Sequence, residues 1–367
     1  MKVEWLVFFY MAVSVAMALF DFGFLAYEKI RDKRFAESTA RLTDHLAREI
    51  DRNADFPTPE HKRTVERQLR SVSSLESFDL SMERLREGDV GRSERYLRGI
   101  SDVFDKLTYR FLGKNDLNRA YFAYVVRRWY RAEPASPLME EALLRIVRES
   151  SLYARQNALE ALAQVGGAEA FAKAVASIDM REDFHHPKLV TEAAMAFKGD
   201  KEQLARELMR RFDDFSPEQQ AAVVNYLRMV RLGEPERFLE LMQRDGANRE
   251  VRLACMRYFM TNPRPEAAAP LRQFAASADA GVWEFASVAA SVLAAYPGAE
   301  TMSVLRDCLS SPTYFVRHNA AKSLYDLGAT LDGDLADIMT GPDRYAREML
   351  EFRWKVEGER KEAATCS

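Results

Sequence analysis

The sequence predicts an all-α protein, a helical-repeat solenoid behind one apolar N-terminal helix. Three observations predict it. Ala, Leu, Glu and Arg dominate the 367 residues, and no run alternates apolar and polar side chains as a half-buried strand would. From about residue 137 the chain resembles itself at intervals of about 30 to 35 residues, the period of a helix-pair repeat. Residues Trp5 to Tyr27 form an apolar stretch in which Asp21 is the only charge. At ~1.5 Å rise per residue, about 20 such residues cross a hydrocarbon core.

The expected order is a short tail over 1–4, a transmembrane helix over 5–27 and a helical spacer or N-terminal cap over 28–114. The solenoid is expected over 115–357, followed by a disordered tail over 358–367. A cleaved secretory signal is the competing reading of the first segment. MKVE carries one Lys and one Glu, the apolar run exceeds the usual signal core, and no small-x-small site precedes KIRDKRF, so an uncleaved anchor is preferred. Lys2 stands alone on the N-terminal side, against Lys29, Arg31, Lys33, Arg34 and Arg41 on the other. The positive-inside rule then puts the N-terminus outside and the solenoid in the cytoplasm, as a single-pass membrane protein. Cys255, Cys308 and Cys366 show no paired spacing, which agrees with a reducing compartment.

Over 28–112, 18 Lys or Arg face 17 Asp or Glu, so this segment is no polybasic lipid-binding arm. Phe35, Leu42, Leu46 and Ile50 share one helix face, and Pro57 and Pro59 mark a break. Tyr121, Phe122, Tyr124, Trp129 and Tyr130 in the next aromatic helix read as core.

The repeats begin with ARQNALEAL at Ala154, LVTEAAMAF at Leu189, QQAAVVNYL at Gln219, VRLACMRYF at Val251, VWEFASVAA at Val282 and VRHNAAKSL at Val316. Small residues at the fifth position, Ala158, Ala193, Val223, Cys255, Ala286 and Ala320, let neighbouring helices approach. A second column aligns Lys173, Arg206, Glu240, Gln273 and Arg306 in the following helix. The V-R-x-x-A-A-x-x-L pattern of VRHNAAKSL, with VRLAC and ARQNALEAL, resembles the HEAT repeat in the short form of phycobilisome-lyase-like proteins. That resemblance implies a right-handed solenoid and an architecture shared by scaffolds, adaptors and a few enzymes. It also implies that Arg155, Arg252 and Arg317 belong to a polar ladder between repeats. Val190, Gln220 and Trp283 interrupt that ladder.

A net charge of −3 and a pI near 6.1 give no general attraction to nucleic acid. His185 and His186 sit beside Glu182 and Asp183, but adjacent side chains diverge, so a solvated loop is expected and no metal site. Metalloprotease, nucleophile-elbow and phosphate-loop patterns are absent. Deoxyhypusine hydroxylases, built on such repeats, bind iron through His-Glu dipeptides, and none occurs here. The chain is therefore expected not to be an enzyme, with no cofactor, no metal and no small-molecule substrate.

The expected function is that of a membrane-anchored scaffold or adaptor that positions a protein partner beside an integral-membrane protein. A lyase-like enzyme, or an accessory subunit of a membrane enzyme complex, is the alternative. Lys173, Arg206, Arg210, Arg244 and Arg306 are the candidate surface for an acidic protein segment. In the anchor, Ser14, Ala18 and Asp21 share one side and are the candidate contacts for a partner helix.

Overall fold

The computed structural model describes residues 3–178, 186–277 and 280–365. Among them are twenty α-helices and no strand. The chain divides into two compact units, Met1–Ala170 and Phe171–Ser367.

The first unit begins with α1 (Val3–Asn53), an unbroken helix of 51 residues whose apolar part is long enough to cross a membrane. No residue of its most apolar window is buried, which agrees with a membrane anchor or a signal sequence. Further along, the same helix turns Leu42, Leu46 and Ile50 into the core of the unit. There follow α2 (Pro59–Gln68), α3 (Val72–Gly88), α4 (Val90–Gly99), α5 (Ser101–Leu112), α6 (Asp116–Trp129), α7 (Pro137–Glu149) and α8 (Leu152–Val165). One layer runs α1, α3, α6, α8, each packed on the next, and α2, α5 and α7 follow one another in a second. The two-layer stack therefore begins well before residue 115. Helices on either side of that expected boundary share one core, α5 against α7 and α3 against α6.

After α9 (Ala168–Ala176), the second unit contains α10 (Pro187–Met195), α11 (Lys201–Arg210), α12 (Pro217–Val230), α13 (Pro235–Gln243) and α14 (Arg249–Thr261). It continues with α15 (Pro265–Ala275), α16 (Trp283–Val292), α17 (Ala299–Cys308), α18 (Tyr314–Asp326), α19 (Ala336–Thr340) and α20 (Arg344–Thr365). Its first layer is α10, α12, α14, α16, α18 and α20, stacked neighbour on neighbour. Each of α11, α13, α15, α17 and α19 lies against the first-layer helix that follows it. This is the expected all-α, HEAT-like solenoid.

Local chemistry sets the helix boundaries. Proline opens α2, α7, α10, α12, α13 and α15, where its missing N–H costs nothing. Side-chain caps by Thr58, Ser71, Asp89, Asn115, Ser136, Ser216 and Asn248 satisfy free N–H groups. At the end of α12, Arg231 adopts a left-handed conformation (φ 59°) and Gly233 follows at φ 122°. A Cβ on Gly233 would lie 2.7 Å from the Phe238 ring, so this turn requires glycine.

The fifth-position residues Ala158, Ala193, Val223, Cys255, Ala286 and Ala320 are all buried, as their spacing implies. Phe122, Trp129 and Tyr130 are core, while Tyr121 and Tyr124 are half-buried. Residues 358–365 continue α20 where a disordered tail is expected; Glu357, paired with both Arg353 (2.9 Å) and Arg360 (3.0 Å), supports the helix at that point.

Candidate functional site

The backbone carbonyls at the end of each second-layer helix need donors. The repeated arginine supplies them. Arg155 of α8 is 3% exposed and donates from Nε to the carbonyl of Val147 (3.0 Å) and from Nη2 to that of Ser150 (2.9 Å), at the end of α7. Arg252 of α14 donates to Met242 (3.0 Å), Arg317 of α18 to Ser311 (2.5 Å), and Arg347 of α20 to Gly341. Arg119 of α6 does the same for Leu112 (2.7 and 3.1 Å), in a region where the sequence period is not visible. The expected ladder between repeats is made of arginine-to-carbonyl bonds, each from the first helix of one unit to the end of the second helix of the unit before. These arginines cap the preceding helix, where a cation also meets the negative end of the helix dipole.

The departures from arginine have separate solutions. Gln220 of α12 takes the same role with an amide, donating to the carbonyl of Phe212 (3.0 Å). Val190 has no donor, and Gln219 reaches the carbonyls of Val175 (2.5 Å) in the last turn of α9 and of Ile178 (2.8 Å) just beyond it instead. Trp283 of α16 is different. At the end of α15, the carbonyl of Ala275 receives the thiol of Cys308 (3.3 Å), a weak donor. Burial pushes that thiol up to about 12, with Asp307 adding to the effect, so it keeps its proton.

What Trp283 does is stack. Its ring lies 5.5 Å from Phe315 at an interplanar angle of 18°. Tyr314 meets Phe315 edge-on at 5.6 Å and lies over His318 at 5.6 Å. The guanidinium of Arg317 stands 5.4 Å from the centre of the Tyr345 ring. Tyr314 and Phe315 at the start of α18 and Tyr345 at the start of α20 are 50%, 55% and 66% exposed, and Trp283 at the start of α16 is half-buried. At the position equivalent to Phe315 and Tyr345, the earlier repeats carry Tyr153, Lys188, Glu218, Glu250 and Gly281.

The ridge has a rigid base. Buried Arg353 donates from Nη2 to Nε2 of His318 (2.8 Å) and pairs with Glu357 (2.9 Å). Burial, Arg353 and Lys322 all lower the His318 pKa, so the ring stays neutral and accepts. A contiguous patch of exposed rings on a fixed support marks an interaction surface. The repeat alignment missed it: Trp283 reads there as a defect, and Phe315 falls one place ahead of the aligned segment.

The basic stripe is placed on the second-layer helices, but its charges are answered locally. Arg206 lies 3.7 Å from Glu202 and 4.0 Å from Asp200, Arg210 pairs with Glu207, and Arg244 pairs with Glu240. Arg306 pairs with Asp337 at 2.6 Å, and Lys173 is exposed on α9. The stripe is consequently much weaker as a positive surface than a row of cations implies. In the anchor, Ser14, Ala18 and Asp21 are exposed on α1, and no other part of the first unit covers them.

Among the described residues, no group of three or more His, Cys, Asp or Glu is gathered to hold a metal ion. His186 is exposed and caps α10, its Nδ1 accepting from the backbone N–H of Lys188 (3.1 Å). Glu182, Asp183, His185 and Cys366 lie outside the described residues. Cys255 and Cys308 are buried free thiols, and burial pushes Cys255 also to about 12. Neither is an activated nucleophile.

No family model matches the chain, and no curated protein matches it. Among solved structures, the chain is similar to human deoxyhypusine hydroxylase in complex with glycerol. The identity is 15% over 87% of this chain and 97% of that one, with a TM-score of 0.28. That protein is an enzyme, against the expectation of no enzymatic activity for this chain, and that expectation is withdrawn without an activity being carried over. A likeness of this size says nothing about substrate or metal.

Proposed function

We propose that the chain is a membrane-anchored HEAT-like scaffold or adaptor that binds a protein partner. The observation that supports this reading is the ring ridge of Trp283, Tyr314, Phe315 and Tyr345, where rings from successive repeats gather at one end of the stack. Exposed aromatic rings on a rigid base give contact area at small entropic cost, which is what binding anchors need. The apolar part of α1 would then set the address, with the solenoid in the cytoplasm and the partner beside an integral-membrane protein. Ser14, Ala18 and Asp21 would provide a second contact within the membrane. The arginine stripe would contribute weakly, because a partner must first displace its local carboxylates.

The test is a photo-crosslinking residue placed at Phe315 in intact cells, and separately at Arg206. A discrete adduct from Phe315 that disappears in Trp283→Ala is the expected result. Absence of any adduct from Phe315, Tyr314 and Tyr345 overturns the reading. A reporter fused after Ser367 should behave as cytoplasmic, and an exported reporter would reverse the proposed topology.

A further inference from the structure

Near the C-terminal end of α1, where the membrane-directed helix enters the first unit, two histidines pack ring against ring. His45 of α1 and His61 of α2 have centroids 5.0 Å apart and planes inclined by 35°. Nε2 of His61 lies 2.8 Å from the hydroxyl of Tyr96 on α4. His61 and Tyr96 are buried, and His45 is half-buried. The remaining nitrogens facing the interior, Nε2 of His45 and Nδ1 of His61, are buried and have no hydrogen-bond partner. Orphaned polar atoms of this kind require an explanation.

The surroundings offer little to a positive charge. Glu49, one turn beyond His45, is the carboxylate that acts on the pair, and it also lies 3.5 Å from the backbone N–H of Thr58. Three ion pairs tie charged groups on the neighbouring helices to other partners. Lys62 of α2 pairs with Asp102 of α5 (2.9 Å), Arg92 of α4 with Asp51 of α1 (3.3 Å), and Arg95 of α4 with Asp55 (2.9 Å). An imidazolium at His61 would lean on the half-solvated Glu49 carboxylate.

We propose that His45, His61 and Tyr96 form a pH-sensitive latch: neutral rings hold α2 against α1 and α4, and protonation on mild acidification releases α2 from the membrane-directed helix. Packed neutral rings can share van der Waals contact, and the His61 to Tyr96 hydrogen bond ties α2 to α4. A proton on His61 charges a buried ring packed against the His45 ring. Burial lowers the His61 pKa, Glu49 opposes this, and His45 lowers it further. A histidine whose folded pKa is depressed contributes stability above its unfolded value, near 6.5, and loses it as pH falls through the folded value. The latch is thus closed at neutral pH and opens in the acidic range.

Hydrogen exchange of residues 59–68 in the full-length protein, held in lipid nanodiscs at pH 7.5 and 5.5 and corrected for intrinsic rates, tests this. Protection of α2 should fall by about tenfold or more on acidification, since each tenfold change corresponds to one unit of proton-linked shift. The double variant His45→Gln, His61→Gln should show equal protection at the two pH values. A wild-type α2 indifferent to pH, or a double variant that keeps the full drop, overturns the proposal. Should the double variant not fold, Glu49→Gln decides. Losing the carboxylate that favours the protonated ring in the closed state should move the opening midpoint to higher pH, and an unmoved or lowered midpoint contradicts the latch.

Discussion

The start of α16 and the starts of α8, α14, α18 and α20 occupy equivalent places in the stack and are built from opposite materials. Four of them place an arginine on the carbonyls of the preceding helix. In α16 the same place holds Trp283, which stacks on Phe315 while the thiol of Cys308 serves the Ala275 carbonyl. The difference separates what the repeat needs in order to stand from what it presents to a partner. A position that breaks the structural rule, and whose side chain joins an exposed patch, is where a functional demand has overridden a local one.

The largest effect should come from removing the best-buried cap. Arg155→Ala leaves two carbonyls without donors, at about 1–3 kcal/mol for each buried group, and should lower urea stability by about 2–4 kcal/mol. A loss below about 1 kcal/mol would break the comparison, because the arginine would then be decoration. Gln220→Ala should cost about 1 kcal/mol, the worth of one neutral hydrogen bond, and Gln220→Arg should be tolerated. Trp283→Ala should also cost about 1 kcal/mol in the same denaturation, since the half-exposed ring gives up one stacking contact. Its effect on the Phe315 adduct should be far greater. Smallest of all, reversing Arg206 and Arg210 to Glu should leave stability within about 0.5 kcal/mol of the parent, as surface substitutions usually do. A large loss there would show that the stripe holds the stack together.

Much of this fold was legible in the sequence, because a helix pair imposes its period on small and large residues alike. The fifth-position column from Ala158 to Ala320 named the close helix contacts before any coordinates did. The first unit was less legible. After α1, its helices range from the 10 residues of α4 to the 17 of α3, so no constant spacing survives, and ahead of Arg155 the capping role falls to Arg119. The role of the arginines was unreadable for a different reason. Their acceptors are backbone carbonyls of the preceding helix, which carry no residue signature. The weakness of the stripe, by contrast, was available: Glu202 precedes Arg206, Glu207 precedes Arg210 and Glu240 precedes Arg244 by one turn, the spacing of helical ion pairs. The ridge needed three dimensions, since Trp283 meets Phe315, and Arg317 meets Tyr345, only across successive repeats.

The most direct test is the yield of the Phe315 photo-adduct in Trp283→Arg, measured in intact cells against the parent at matched protein level. An arginine at that place restores the capping residue of the other repeats and removes the ring that supports Phe315, so the protein should remain folded while the adduct falls at least about tenfold, a loss of about 1.4 kcal/mol in binding. An undiminished adduct in a folded Trp283→Arg protein would contradict the account, because the ring at α16 would then have no part in recognition.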